Sequence, residues 1–201
     1  MIPASEFSDI EFELERRPLE TNYYRKTAGL GRSQAFGLVN RRCRPIDYSR
    51  QCWIRPELYK MLLDFGERHV TDISWNCITV NQNYSVGPHK DRNNIGPSYL
   101  IAFGEYTGGQ LKFHHGELTG SHDVFRQPLI ADFGNFLHSV EPWEGNRYSL
   151  VYYQVNNTPD GIPPPSFTDV DGKFRFKRGD LILTKKNGLP HPLKGYRRPK
   201  N

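Results

Sequence analysis

The sequence contains little cysteine and no long hydrophobic segment. Its only cysteines, Cys43, Cys52 and Cys77, lie far apart, and no CxxC pair occurs. This pattern argues against a disulfide framework, a cysteine-rich zinc site and a redox dithiol, so we expect reduced and buried thiols. No apolar run approaches the roughly 18 residues that span a bilayer, and the first residues lack the features of a secretion signal. We therefore expect an intracellular protein, cytoplasmic or nuclear, with no membrane segment.

Acidic residues are fewer than basic ones. The 27 Lys and Arg against 22 Asp and Glu give a formal charge of +5, and basic clusters lie at 41–50, 173–178 and 194–200. A basic surface favours anionic partners such as nucleic acid, although it is also a common route to solubility. At 201 residues the chain fits one domain. We expect a monomer whose candidate partner is a nucleic-acid substrate.

The pattern of apolar residues predicts a mainly β (α+β) fold with a flanking N-terminal helix. Residues 1–20 show no sustained period, which predicts an arm or an outer strand. Apolar residues recur at helical spacing after Pro56 and predict a helix over 55–69, while 35–39 predicts an early strand. Runs rich in β-branched and aromatic residues predict five more strands, at 76–84, 98–104, 110–115, 123–134 and 147–155. Five strands at this spacing are typical of an antiparallel β-sandwich or barrel.

Glycine and proline mark the connections. The glycines of YTGGQ, residues 106–110, predict a tight hairpin that pairs the second of these five strands with the third. The proline-rich stretch 156–165 predicts a stiff connection that ends the core. Beyond it we expect an edge strand at 173–183 and an extended basic tail. One domain therefore comprises an N-terminal flank with the core, 1–155, and a C-terminal extension, 156–201.

His89 and Asp91 form an H-x-D pair in the run PHKDRNN. On an extended segment, residues i and i+2 project from the same face, so both side chains can approach one ion. A second histidine, His138, follows in a segment where Gly134 and Pro142 flank a short apolar run. Two imidazoles and one carboxylate leave three positions open on an octahedral metal, which suits ferrous iron that binds a cosubstrate and dioxygen. A closed structural zinc site would use a fourth protein ligand instead.

Arg147 and Ser149 form a candidate acid-binding pair soon after His138. They alternate along a predicted strand, so both side chains point to one face. A guanidinium binds a carboxylate through two parallel hydrogen bonds, and a serine hydroxyl adds a third. An isolated R-x-S is more often an arginine paired with an acidic neighbour, but its position after the candidate metal ligands favours acid binding.

The combination of H-x-D, then H, then R-x-S resembles the Fe(II)- and 2-oxoglutarate-dependent dioxygenases. The resemblance implies a double-stranded β-helix, also described as a jelly-roll or cupin-like fold. It implies that His89, Asp91 and His138 bind Fe(II) and form the catalytic centre. Arg147 and Ser149 would then bind the far carboxylate of 2-oxoglutarate. The implied reaction consumes O2 and 2-oxoglutarate, hydroxylates a C–H bond of a substrate, and releases succinate and CO2.

Within the region of resemblance, 76–155, the run HKDRNN places Asn94 three residues after the aspartate. This spacing and the GEYTGGQLKF run are similar to the TET/JBP-like branch, which oxidises the methyl group of 5-methylcytosine or thymine in nucleic acid. The resemblance implies that Asn94 contacts the target base and that Arg92 lies among the substrate-binding residues. A simple turn residue is the alternative interpretation of Asn94. The AlkB type is a weaker match, because Tyr153 stands where that group carries a second arginine.

The sequence offers three further candidate site residues and two alternative functions. Asn83 and Tyr84 lie on the strand that leads into the metal motif and, with Asn81, are candidates for hydrogen bonds to 2-oxoglutarate. The cysteine-rich zinc region of the animal TET enzymes has no counterpart here. The alternative functions are a hydroxylase of a prolyl or lysyl side chain or of a small metabolite, and a non-catalytic jelly-roll module that binds nucleic acid.

Overall fold

A computed structural model describes most of the chain. The described residues are 1–21, 31–40, 46–155, 165–170, 173–177, 182–184 and 190–192. Their helices are a 3-10 turn at Ala4–Glu6, α1 (Ser8–Arg16), α2 (Gln51–Ile54) and α3 (Pro56–His69). Their strands are β1 (Arg32–Val39), β2 (Asp47–Tyr48), β3 (Cys77–Gln82), β4 (Asn94–Gly108), β5 (Leu111–Phe113), β6 (Gly120–His122), β7 (Leu129–Ala131), β8 (His138–Val140), β9 (Trp143–Val155), β10 (Ser166–Val170), β11 (Lys173–Lys177), β12 (Ile182–Thr184) and β13 (Pro190–Pro192). None of the described helices is long and apolar enough to cross a membrane.

Two antiparallel sheets pack together and form the predicted jelly roll. The larger sheet has the strand order β2-β1-β3-β9-β4-β7, and the smaller one has the order β6-β5-β8. A backbone bridge between His89 and His138 adds a further segment to the edge of the smaller sheet. Leu100 and Val151 from the larger sheet share one apolar cluster with Phe113 from the smaller sheet. This packing confirms the predicted mainly β architecture.

The helices cover the outer face of the larger sheet. Helix α3 begins at Pro56, where a proline suits the first turn, and its apolar stripe buries Leu58, Leu62 and Phe65 completely. These side chains form one core cluster with side chains of β1, β3, β4 and β9. The helix predicted over 55–69 is confirmed.

The N-terminal segment is helical, so the expected arm or outer strand at 1–20 is wrong. Phe7, Ile10 and Leu14 recur at the spacing of one helix face, and all three are buried in the core cluster. Glu13 interrupts this apolar pattern in the sequence. Its carboxylate is nevertheless buried, because it pairs with Arg55 at 3.3 Å.

The two glycines at the end of β4 do not close a hairpin. β4 pairs with β7 and β9 in the larger sheet, whereas β5 pairs with β6 and β8 in the smaller sheet. The predicted pairing across YTGGQ is therefore wrong. Gly108 and Gly109 adopt positive φ angles of 79° and 68°, and they turn the chain out of one sheet and into the other.

The C-terminal extension forms a separate two-stranded sheet from β10 and β11. Of the strand predicted at 173–183, residues 173–177 form β11 and residues 182–183 belong to β12, which pairs with β13, so neither part extends the edge of a larger sheet. Phe176 packs against Trp53 and Tyr59, with ring centroids 5.0 and 5.5 Å apart, so this hairpin docks on the helices. Most of the predicted proline-rich connection and basic tail, and Cys43, lie outside the described residues.

Candidate metal and cosubstrate site

The H-x-D pair and the second histidine meet at one edge of the smaller sheet. His89 and Asp91 lie between β3 and β4, and His138 is the first residue of β8. The candidate ligand atoms of all three lie within 4.8 Å of one another. The backbone N–H of His89 donates to the carbonyl of His138 at 2.9 Å, and the reverse bond measures 3.0 Å. Strand pairing thus brings together residues that are distant in the sequence.

Backbone carbonyls orient both imidazole rings. The Nδ1 atoms of His89 and His138 each lie 3.0 Å from a carbonyl oxygen, that of Gly87 and that of Phe136 respectively. When each Nδ1–H donates to its carbonyl, Nε2 keeps a lone pair, and Nε2 of His89 lies 3.5 Å from Oδ1 of Asp91. Burial lowers the pKa of His138, so its ring is neutral at neutral pH. A neutral ring with a fixed tautomer is the form of histidine that binds a metal.

The three side chains line a cavity of about 670 Å³. Its walls come from both sheets, and they include the apolar side chains of Leu100, Phe133 and Val151. The polar residues of β3 and β9 divide between its two ends: Asn81, Arg147 and Ser149 lie towards one end, and Thr79 and Tyr153 towards the other.

Arg147 is almost completely buried in this cavity, with 3% of its surface exposed. Its guanidinium lies over the rings of Tyr106 and Trp143, at 5.4 and 5.8 Å from their centroids. Among the described residues, no group accepts a hydrogen bond from its Nε or Nη2 atom. Burial lowers the pKa of Arg147, but the group stays charged at neutral pH because its ordinary value is so high. This edge of the guanidinium can therefore donate two parallel hydrogen bonds to an anion such as a carboxylate.

Ser149, Asn81 and Tyr84 lie on the same cavity, whereas Asn83 does not. Nδ2 of Asn81 donates to Oγ of Ser149 at 3.1 Å, so the serine O–H can donate to a ligand. Asn83 instead accepts a hydrogen bond from the backbone N–H of Arg147 through Oδ1, at 2.7 Å. This side chain therefore supports the strand that carries Arg147 and does not line the cavity, and its contact with the cosubstrate stays a prediction.

Arg92 and Asn94 lie at the mouth of the cavity, as does Lys90. The side-chain amide of Asn94 donates to the hydroxyl of Ser98 at 3.1 Å, and its backbone N–H donates to the carbonyl of Asp91 at 3.0 Å. Asn94 therefore closes the turn after Asp91 and also lines the cavity, and its contact with a target base stays a prediction.

Sequence reasoning missed two cavity residues, Tyr153 and Thr79. Their hydroxyl oxygens lie 3.3 Å apart, and the thiol of Cys77 donates to the hydroxyl of Tyr153 at 3.1 Å. The alternation of β9 could have identified Tyr153, because it lies on the same strand face as Arg147 and Ser149.

Solved structures are similar to this chain, although no protein-family model and no curated protein matches it. NgTET1 in complex with 5mC DNA matches with a TM-score of 0.51 and 17% identity, over 77% of this chain and 69% of that chain. A 2OG-Fe(II) oxygenase family protein from Burkholderia pseudomallei matches with a TM-score of 0.51 and 20% identity, over 75% and 78% of the two chains. A Pseudomonas putida prolyl-4-hydroxylase gives 0.45 and 14%, over 76% and 88%. The chain shares the fold of the first two.

The side chains fit a divalent metal ion and a dicarboxylate. Two imidazole nitrogens and one carboxylate form a donor set that leaves positions open and suits ferrous iron. Within the described ranges, no fourth His, Cys, Asp or Glu joins this group, so it lacks the closed ligand set of a structural zinc site. The unpartnered edge of Arg147 on the same cavity fits the distal carboxylate of a bound diacid.

Proposed function

We propose that this protein is an Fe(II)- and 2-oxoglutarate-dependent oxygenase that hydroxylates a methylated base in nucleic acid. One observation carries the proposal: the His89, Asp91 and His138 ligand set and the unpartnered guanidinium of Arg147 lie on a single cavity. A keto diacid needs both features, because its keto acid end binds a metal with open positions and its other carboxylate binds a cation.

The three ligands would hold the metal in a fixed orientation. When bound, Fe(II) supplies redox chemistry in which one atom of O2 enters a substrate C–H bond and the other enters succinate, with release of CO2 from 2-oxoglutarate. The backbone carbonyls that hold Nδ1 of His89 and His138 keep both Nε2 atoms directed at the ion. These carbonyls preserve the ligand geometry without occupying a coordination position.

Arg147 and Ser149 would hold the distal carboxylate of 2-oxoglutarate. Nε and Nη2 donate two parallel hydrogen bonds, and the serine hydroxyl, whose oxygen already accepts from Asn81, donates a third. Leu100, Phe133 and Val151 line the same cavity, and their apolar side chains would reduce its water content and so strengthen these charged contacts.

The other end of the cavity supports a nucleic-acid base as the substrate. Tyr153 offers an aromatic ring and Asn94 offers an amide, which are groups that bind a base taken out of its stack. Lys90 and Arg92 are exposed at the mouth and form no ion pair with a described residue, so they can bind phosphates. NgTET1, whose fold is similar, was solved in complex with 5mC DNA.

Turnover of 2-oxoglutarate tests the enzyme class. We expect the full chain with ferrous iron to convert 2-oxoglutarate into succinate, and we expect His89→Ala to lose this activity together with iron binding. His114→Ala is the control, because this exposed imidazole bonds to Ser139 at 2.9 Å and does not line the cavity. If wild type and His89→Ala bind ferrous iron equally poorly in an anaerobic titration, the non-catalytic alternative holds.

A panel of oligonucleotides tests the substrate. Strands with 5-methylcytosine, thymine or unmodified cytosine are incubated under conditions that consume 2-oxoglutarate, and mass spectrometry measures the oxidised bases. We expect oxidation of the methylated strand and an affinity that falls steeply with salt. Consumption of 2-oxoglutarate without any oxidised base would contradict the nucleic-acid substrate. Peptide and metabolite mixtures would then be searched for the gain of one oxygen.

A further inference from the structure

Gly109 lies against the side chain of Arg147. This glycine is buried and has a φ angle of +68°, and a Cβ placed on it would stand 2.9 Å from both Cδ and Nε of Arg147. A real Cβ essentially never approaches another atom closer than 3.0 Å. Any side chain at residue 109 would therefore displace the arginine.

The part of Arg147 that would move is its guanidinium, because its main chain is held by hydrogen bonds. Its backbone N–H donates to Oδ1 of Asn83 at 2.7 Å, and its carbonyl accepts from the N–H of Asn83 at 2.8 Å, so the main chain is fixed. The rings of Tyr106 and Trp143 occupy the space beside the guanidinium. Nε, one of the two atoms that a new Cβ would meet, also belongs to the edge without a protein partner.

We infer that Gly109 is a positioning residue for the cosubstrate, because its missing side chain leaves the space in which the Nε and Nη2 edge of Arg147 can bind a carboxylate. The inference rests on the proposed function, in which that carboxylate belongs to 2-oxoglutarate. The glycine pair that passes the chain from one sheet to the other thus has a second role.

Two glycine variants separate this contact from backbone strain. Gly96 has a φ angle of +65°, close to that of Gly109, and a Cβ on it meets no described atom within 4 Å. Gly96→Ala therefore places a Cβ at a similar positive φ in open space, and Gly109→Ala alone crowds Arg147. Calorimetric titration of 2-oxoglutarate into the full chain loaded with Mn(II), which stands in for iron without oxidising, measures the difference.

We expect Gly109→Ala to weaken 2-oxoglutarate binding at least about tenfold relative to Gly96→Ala, as the loss of one charge-assisted hydrogen bond does. The affinity for Mn(II) alone should be the same in both variants, because no metal ligand is disturbed. Equal 2-oxoglutarate affinities in wild type and both variants overturn the inference and leave the proposed function intact. Failure of the wild type to bind Mn(II) or 2-oxoglutarate overturns the proposed function and the inference with it.

A double-mutant cycle tests the contact between residue 109 and Arg147 even if the Gly109→Ala variant is too unstable for binding measurements. Arg147→Ala removes the two atoms that a new Cβ would meet at 2.9 Å and leaves Cβ of Trp143, at 3.2 Å, as the remaining tight contact, so it should relieve most of the crowding. We expect Gly109→Ala to destabilise the wild type more than Gly96→Ala does, and we expect this excess to shrink in the Arg147→Ala background. Urea unfolding measures all the variants. An excess of unchanged size without the arginine overturns the contact.

Discussion

Tyr153 lines the end of the cavity away from Arg147, and its hydroxyl bonds to Cys77 and Thr79 on the neighbouring strand β3. Tyr153→Phe removes the hydrogen-bond partner of Cys77 and Thr79, and we expect it to lower the free energy of unfolding by about 1 kcal/mol. If the proposed function is right, we also expect fewer oxidised bases per succinate formed, because the ring proposed to contact the base loses its anchor while Arg147 is untouched. Mass spectrometry of the bases and a succinate assay give this ratio.

Tyr99→Phe is the matched control for that prediction. The hydroxyl of Tyr99 is buried and has no hydrogen-bond partner among the described residues, so its removal should not destabilise the protein. The ratio of oxidised base to succinate should stay at the wild-type value. The same fall of this ratio in both variants would contradict a specific role for Tyr153.

His138 differs from the other histidines by its burial beside an aspartate and a second imidazole. We expect His138→Ala to weaken the binding of ferrous iron by more than about 100-fold, since the loss of an outer partner alone costs about 10- to 100-fold. An anaerobic titration measures this affinity. His114→Ala should bind iron as wild type does, and an equal loss in the two variants would argue against the ligand set.

The sequence predicts individual residues best where chemistry limits the choice. The candidate ligands and Arg147 could be selected because few residue types bind iron or a carboxylate. Thr79 could not, because a threonine on a strand is ordinary and its hydrogen bond to Tyr153 joins two strands. The orientation of the Asn83 side chain could not be predicted either, because it depends on a φ angle of +49° that turns the side chain towards the backbone of Arg147.

Helix α1 is joined to the start of helix α3 by a buried ion pair. Arg55 is 3% exposed, and its Nη2 lies 3.3 Å from Oε1 of Glu13. We expect Glu13→Gln to lower the free energy of unfolding by about 3 kcal/mol, because it leaves a buried guanidinium without a counter-charge. Urea denaturation measures the loss.

Glu15→Gln makes the same chemical change at an exposed position of α1. Its effect should stay within about 0.5 kcal/mol, as is usual for surface substitutions. If the two variants lose the same stability, the pair with Arg55 contributes nothing beyond the helix itself.

Secondary-structure elements could be predicted where a segment has a helical period or a run of strand-forming residues. Helix α3 has the period, and β3, β4 and β9 have the runs, with six consecutive buried residues in β4 and in β9. α1 does not have such a period, because Glu13 occupies a buried position in which its carboxylate pairs with the neighbouring Arg16 and with Arg55, far along the chain. The strand partners of β4 could not be predicted from the local sequence either. Glycines that accept positive φ occur where a chain passes from one sheet to another as well as in hairpins.

The labelling rates of two buried thiols, those of Cys52 and Cys77, measure how often the whole protein unfolds. Burial raises the pKa of Cys52 to about 11 and that of Cys77 to about 12. In a Cys43→Ser background we expect iodoacetamide at neutral pH to label both only as fast as the protein unfolds, and mass spectrometry follows the reaction. Rapid labelling that does not depend on urea concentration would contradict this burial.

The same thiols give the stability a dependence on alkaline pH. The folded state retains protons that the unfolded thiols release near their ordinary pKa of 9.0. The unfolded state thus binds fewer protons, and the free energy of unfolding should fall as pH rises from about 9 to about 11. Denaturant unfolding across this range tests the slope, and Cys52→Ala should reduce it.

Strand β9 limits the insertions and deletions that this fold can accept during evolution. Arg147, Ser149 and Tyr153 face the cavity, while Leu150 and Tyr152 face the helices. Because side chains alternate with a period of two, one inserted or deleted residue would send the cavity residues into the core and the core residues into the cavity. We expect lineages with other substrates to differ by replacement of Tyr153 and by loops of other lengths, with a β9 of unchanged length.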